Sequence, residues 1–435
     1  MRKITFNFKS LFAYLFLVSS LFLSAQETTF VPQKYTPTEP GCVLPLGEFA
    51  GLVSVPRAPE TAAKMKGGGN PCATFVVSYN GFTPEAQAAF QYAVDIWANS
   101  IDSSVPINVN ASFTALGPNV LGSAGPATFL TSSAPGSQPN IFYPAAIWEK
   151  LEGADRSTFG GSNDITANFS SEANWYYGTD ANPPGNQIDF VTVVLHELGH
   201  GLGFIGFSDV TTSFPDDIGA VREPNNNIPA VYDAFVENGT GAAILSFPDP
   251  SAALGTELVS NDLFINAPTS VAQFGQGGAL PQIYAPASFN GGSSIYHWNT
   301  PSFPIENINS LMRHEVGPGS ANHNPGPITL GLFQDMGWSI CPGALSVDDI
   351  RVYNVSVGPN PFKSAITIKL SNGFNDEYNI SLWDINGRRI IDSRETVENG
   401  AISISNLNQL EDAIYFLKVT NETTGTSIVK KIIKN

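Results

Sequence analysis

The chain predicts an α+β fold: a region of helices packed on one sheet, followed by a small C-terminal β-sandwich. Three observations carry this. A strand-like run at 74–79 leads directly into a helix-like stretch opening at Thr83-Pro84, and a more apolar helical stretch lies at 188–200. Short alternating runs at 106–113 and 165–169 fall between them, so two helices are expected on one sheet. Beyond residue 357 only short alternating strands recur.

The elements follow in order. Residues 1–25 have the pattern of a secretory signal peptide. Arg2, Lys3 and Lys9 precede an apolar run at 11–23, and Leu23-Ser24-Ala25 is a cleavage site. The apolar run is short of the roughly 20 residues a membrane span needs. No later segment has the length to cross, so no transmembrane segment is expected in the mature chain. Residues 26–70 are Pro-rich, then Gly-rich up to Lys66-Gly67-Gly68-Gly69, and are expected to be a propeptide or a linker. Residues 71–340 form the main region. Thr83 is the expected N-cap of its first helix, with Pro84 at the first helical position and Phe90, Val94 and Trp97 on the apolar face. Asp189 is the expected N-cap of the second helix, and Gly201-Leu202-Gly203-Phe204 its end. An irregular insertion spans about 206–281. Its acidic loop (Asp209, Asp216, Asp217) is a secondary calcium candidate, although no ligand spacing repeats and solvated carboxylates are the plainer reading. Residues 341–356 are expected to be a linker, and 357–435 the β-sandwich.

The formal charge is −17; without the three basic residues of the signal, 18 basic groups face 38 acidic ones. So acidic a chain argues against nucleic acid and anionic lipid as partners. Three cysteines, Cys42, Cys72 and Cys341, allow one disulfide in an oxidising compartment, Cys42–Cys72 or Cys72–Cys341, with one thiol left over.

The chemistry is concentrated in His196-Glu197-Leu198-Gly199-His200. Two histidines four apart on a helix share one face and can reach one zinc ion. Glu197 between them can hold a water at the metal and deprotonate it. A catalytic zinc takes three protein ligands and keeps a fourth position open. In the commonest extended motif a histidine would stand at 206, where this chain has glycine. The third ligand must come from elsewhere. His297, His314, His323 and Asp209 are the candidates.

The run from His196 through Gly203-Phe204 resembles the active-site run of leishmanolysin-like metzincins. Tyr296-His297-Trp298, then Ser310-Leu311-Met312, then Asp335-Met336-Gly337-Trp338 are similar to that family's later blocks, in the same order. The resemblance implies a metzincin-like catalytic domain, a twisted sheet with an active-site helix. It also implies His297 as third zinc ligand, with His314 the fallback, and Met312 in a methionine turn beneath the metal. A second resemblance lies at the C-terminus. Gly358-Pro359-Asn360-Pro361, Leu382-Trp383-Asp384-Ile385-Asn386-Gly387 and Tyr415-Phe416-Leu417-Lys418-Val419 are similar to a type IX secretion sorting domain, with Gly358 where that family usually has Tyr. It implies the type IX secretion machinery as a partner, with export through the periplasm and outer membrane to the cell surface or the medium.

The expected function is a secreted zinc-dependent endopeptidase acting on proteins or peptides, with Glu197 as general base. Substrate is expected to lie extended along the sheet edge near 165–169. The alternatives are a non-catalytic surface binding protein or adhesin, and a zinc amidase or glycan-acting hydrolase. A further reading of Cys42, ranked last because no motif surrounds it, is a thiolate cap on the zinc of a latent precursor.

Overall fold

The computed structural model describes residues 30–435 apart from 39–40, 50, 69, 156–162, 213–216, 276–277, 345–354, 371–376, 386, 398–400 and 422–426. The signal-peptide expectation at 1–25, Asp216, Asn386 and most of the linker expected at 341–356 lie outside the described residues. The chain divides after Gln33, and residues 34–435 hold two separate hydrophobic cores.

The larger core is built on a five-stranded sheet. Its strands are β1 (Cys42–Pro45), β3 (Phe75–Asn80), β4 (Ile107–Thr114), β5 (Val120–Pro126) and β6 (Ile165–Ser170), in the order β1-β5-β6-β4-β3. The period-two alternation of β4 turns Ile107, Val109, Ala111 and Phe113 inward. β3 and β6 run parallel to β4, β5 runs antiparallel to β6, and β1 runs antiparallel to β5.

Two helices pack on each other beside this sheet. Helix α2 (Pro84–Ala98) starts where Thr83 Oγ1 accepts from the Ala86 amide at 3.2 Å, with Pro84 at its first turn. Helix α3 (Phe190–Gly201) is buried along its whole length, and Asp189 caps it by accepting from the Thr192 amide and hydroxyl, both at 2.7 Å. Trp97 Nε1 donates to the Leu195 carbonyl at 3.0 Å and joins the two helices.

Residues 34–67 are not a bare linker. They contribute β1, then β2 (Val53–Val55), which pairs with β7 (Ser320–Asn322), and then helix α1 (Pro59–Gly67). Cys72 and Cys341 form the disulfide, and Cys42 is free and buried. The second core lies at the C-terminus. One sheet there joins β8 (Val355–Gly358), β9 (Ile366–Leu370) and β12 (Ala401–Ile404); the other joins β10 (Glu377–Asp384), β11 (Arg389–Thr396), β13 (Ile414–Asn421) and β14 (Ser427–Ile433). Phe362, Ile368, Ile380, Leu382 and Leu417 fill the space around them.

Two expectations are corrected. The metzincin-like α+β fold does not describe this chain. Among the described residues the architecture is mostly β, with ten sheets of which six are two-stranded, and helices of only 7 to 15 residues. The physical reason is the punctuation of the sequence: with 40 Gly and 32 Pro, long periodic runs are rare and most strands stay short. The insertion shows this, with antiparallel pairings of only two or three residues between 209–211 and 218–220, 222–223 and 228–229, and 236–238 and 263–265. The second correction concerns the sheet edge. β6 is paired on both sides, by β4 and β5, so residues 165–169 offer no free edge.

Candidate metal centre

Helix α3 carries His196 and His200 one turn apart, both fully buried. Each ring is oriented by a carbonyl. His196 Nδ1 lies 2.8 Å from the Leu311 oxygen, and His200 Nδ1 lies 2.8 Å from the Phe204 oxygen, beyond the turn that Gly203 makes at φ +128°. The third imidazole is His297, whose Nδ1 lies 2.6 Å from the Ser293 oxygen. A carbonyl only accepts, so each Nδ1 carries the proton and each Nε2 presents a lone pair. Those three lone pairs converge: His196 Nε2 is 3.0 Å from His200 Nε2 and 3.2 Å from His297 Nε2.

Acceptors facing acceptors in a buried space repel unless a cation lies among them. Protonation is a poor source of that cation. Burial drives His196 down to about 4, and burial together with the neighbouring imidazoles holds His200 and His297 well below the ordinary histidine range. A tetrahedral zinc with Zn–N near 2.0–2.1 Å would keep its nitrogens about 3.3 Å apart, close to the spacings here. The donor set therefore fits zinc.

A fourth donor completes the cluster. Cys42, on β1, places Sγ 3.5 Å from His297 Nε2, and the four donor atoms lie within 4.8 Å of one another. Burial, reinforced by the Glu197 carboxylate, raises its thiol well above the usual value. The chain's sequence offered only one signal for this placement, the odd cysteine left after disulfide pairing.

Glu197, next to His196 on α3, lies close enough to Cys42 to raise its thiol. Glu197 is fully buried and, among the described residues, neither carboxylate oxygen has a well-formed hydrogen bond. Burial lifts it well above the carboxylate range, and the nearby Ala124 amide offsets only part of that. An unpartnered buried carboxylate is costly, and such groups mark sites rather than cores.

The other candidates are placed elsewhere. His314 stacks on Tyr284 with ring centroids 3.9 Å apart, and its Nδ1 lies 3.0 Å from the Thr300 hydroxyl. His323 donates to the helix-capping Asp189 at 2.8 Å. Asp209 is exposed on a short strand and is outside the cluster. Met312 is fully buried in the turn Ser310–Met312, directly under α3: a Cβ on Gly199 would meet its Sδ at 2.7 Å. The same turn holds both sides of the site. Its Leu311 carbonyl orients His196, and its Met312 carbonyl accepts from the Trp298 amide at 2.8 Å.

The loop that delivers His297 is strained. Ile295 sits at φ +73°, a left-handed conformation that β-branched residues avoid, at a cost of about 1–3 kcal/mol. Asp233, in the insertion, is fully buried beside it and is pushed up to about 7 by that burial.

Comparison with known proteins bears mainly on the C-terminus. Residues 356–435 match the secretion system C-terminal sorting domain. This marks the chain for export by type IX secretion to the cell surface or the medium, which makes the secretion machinery a partner. Among the described residues no helix is long and apolar enough to cross a membrane. Residues 81–218 match a family described as SPBPB7E8-like. An uncharacterised protein of Schizosaccharomyces pombe is 27% identical over 126 residues, which cover 26% of this chain and 22% of that protein. Two solved structures show weak likeness. A DUF3244 family protein with an immunoglobulin-like β-sandwich fold, from Bacteroides vulgatus, is 18% identical over 19% of this chain and 84% of its own, with a TM-score of 0.17. PorZ, a surface component of the type IX secretion system of Porphyromonas gingivalis, is 15% identical over 37% of this chain and 20% of its own, with a TM-score of 0.18. At such scores neither likeness bears on the fold of the main region.

Proposed function

We propose that the chain is a secreted zinc-dependent endopeptidase, folded here as a latent precursor. The observation that carries the proposal is the unpartnered carboxylate of Glu197 beside three convergent imidazole lone pairs. The likeness of the active-site run to that of leishmanolysin-like peptidases supports the activity; it is not an argument about the fold.

His196, His200 and His297 would hold the ion. Zinc so bound supplies a Lewis acid that makes a water acidic near neutral pH and polarises a carbonyl. Glu197 takes one proton from the attacking water and returns it to the leaving amine, so that water and amide become acid and amine. The apolar walls of α3 keep bulk water away from that carboxylate, and the raised proton affinity of Glu197 suits it to a base.

Latency follows from Cys42. Four donors make a closed site of the structural kind, whereas catalysis needs an open fourth position. β1 also occupies the edge of the sheet, paired along β5 from Cys42 opposite Ala124 to Leu44 opposite Gly122. An extended substrate would add to β5 only after β1 has left. The closed donor set is also what favours a non-catalytic surface protein. Glu197 argues the other way, since a purely structural site has no use for a buried carboxylate without a partner.

The test uses the full-length chain loaded with zinc. After limited proteolysis has released β1, and Cys42 with it, the chain is expected to hydrolyse casein, and Glu197→Gln to lower the rate about 10²–10⁴-fold with zinc content unchanged. Equal hydrolysis with and without Glu197→Gln removes the base assignment. A chain freed of β1 that still holds zinc but is inert favours the binding protein.

A further inference from the structure

Three features of the His297 loop call for an agent that holds it. Ile295 is in a conformation its side chain disfavours. The ring it leads to lies 101 residues from His196 along the chain, yet their Nε2 atoms are 3.2 Å apart. On its far side from the cluster, the His297 ring is oriented by the Ser293 carbonyl at Nδ1.

Part of the hold is the Tyr284 backbone, which accepts from the Ile295 amide at 2.7 Å and donates to the His297 carbonyl at 2.8 Å; the side-chain part comes from the insertion. Tyr232 donates its hydroxyl to the Ile295 carbonyl at 3.0 Å. Asp233, next in sequence, accepts from the Tyr296 hydroxyl at 3.1 Å through Oδ1. Its Oδ2 accepts from the Phe207 amide at 2.9 Å, and the Ser208 hydroxyl adds a weaker contact to Oδ1 at 3.3 Å. The Ser208 amide donates in turn to the Tyr296 hydroxyl. Phe207 and Ser208 follow the end of α3, so one carboxylate ties the segment after His200 to the residue before His297. The carboxylate lies hard against the backbone it ties: a Cβ on Gly206 would meet it at 2.3 Å.

We infer that Tyr232 and Asp233 are positioning residues for the metal: together they clamp the backbone of Ile295 and the ring of Tyr296, and so set His297 Nε2 against the other two imidazoles. This rests on the zinc reading above. The inference gives the insertion a task, since Tyr232 and Asp233 lie within it and touch neither the ion nor substrate. Outer partners that orient metal-binding histidines are worth about 10–100-fold in metal affinity when removed.

The experiment measures zinc affinity by chelator competition on the full-length chain, for wild type, Tyr296→Phe and Tyr232→Phe. Each variant loses one hydroxyl and keeps the ring. Thermal unfolding of the zinc-free chains is measured alongside. The expected result is a 10–100-fold loss of affinity in Tyr296→Phe and a loss of the same sign in Tyr232→Phe, larger than any change in zinc-free stability accounts for. The cobalt-loaded Tyr296→Phe chain is expected to show an altered visible spectrum. If wild type and both variants bind zinc equally, the clamp has no positioning role even if they unfold at lower temperature. If wild type binds no zinc, the metal centre itself fails, and the clamp with it.

Discussion

Cys42 and His297 show how differently single residues reveal themselves. His196, Glu197 and His200 are legible from sequence because their relation is local, one helical turn. His297 is one of four candidates for the third ligand, and only its likeness to a family block singles it out, because no spacing rule spans the hundred residues between. Cys42 has no surrounding motif, and its place at the cluster depends on β1 pairing with β5. The same dependence supplies a test at this scale. In the native zinc-loaded chain Cys42 is expected to resist iodoacetamide, since it is fully buried and, on the proposed reading, a ligand. Removing zinc with a chelator is expected to speed its alkylation at least several-fold. Equal rates with and without zinc would mean the thiol is only a buried neighbour of the site.

At the scale of elements, the caps of α2 and α3 were written in the residues themselves, Thr83-Pro84 and Asp189, because capping involves neighbours in sequence. Sheet order was not legible. Whether a run such as 165–169 is central or at an edge depends on partners brought from elsewhere, and here β4 and β5 cover both sides. Close packing of α3 on β6 explains the glycine that ends the helix. A Cβ on Gly201 would meet Ile165 Cγ2 at 2.4 Å. Gly201→Ala is therefore expected to destabilise by about 1–3 kcal/mol, seen as a lower thermal midpoint, whereas Gly291→Ala, whose Cβ would meet nothing within 4 Å, serves as a neutral control. Equal midpoints for the two variants would show that β6 and α3 are not packed this tightly.

For the whole molecule, composition conveyed destination better than architecture. The sorting domain was readable because its short strands and turns lie in one contiguous stretch, and its match at 356–435 makes the chain an exported one. The main region was misjudged. Local periodicity reveals two helices and some strands, but many short pairings among Gly- and Pro-rich segments are set by contacts that no single window contains. What unites this irregular body around one place is the cluster of Cys42, His196, His200 and His297, drawn from three distant parts of the chain. The most direct test is therefore zinc bound per full-length chain after exchange into metal-free buffer, for wild type, His196→Ala and His314→Ala. The account predicts one zinc per chain in wild type and in His314→Ala, and a His196→Ala chain that yields its zinc to a chelator under conditions where wild type stays loaded. A zinc-free wild type, or a His196→Ala chain that holds zinc as firmly, would contradict it.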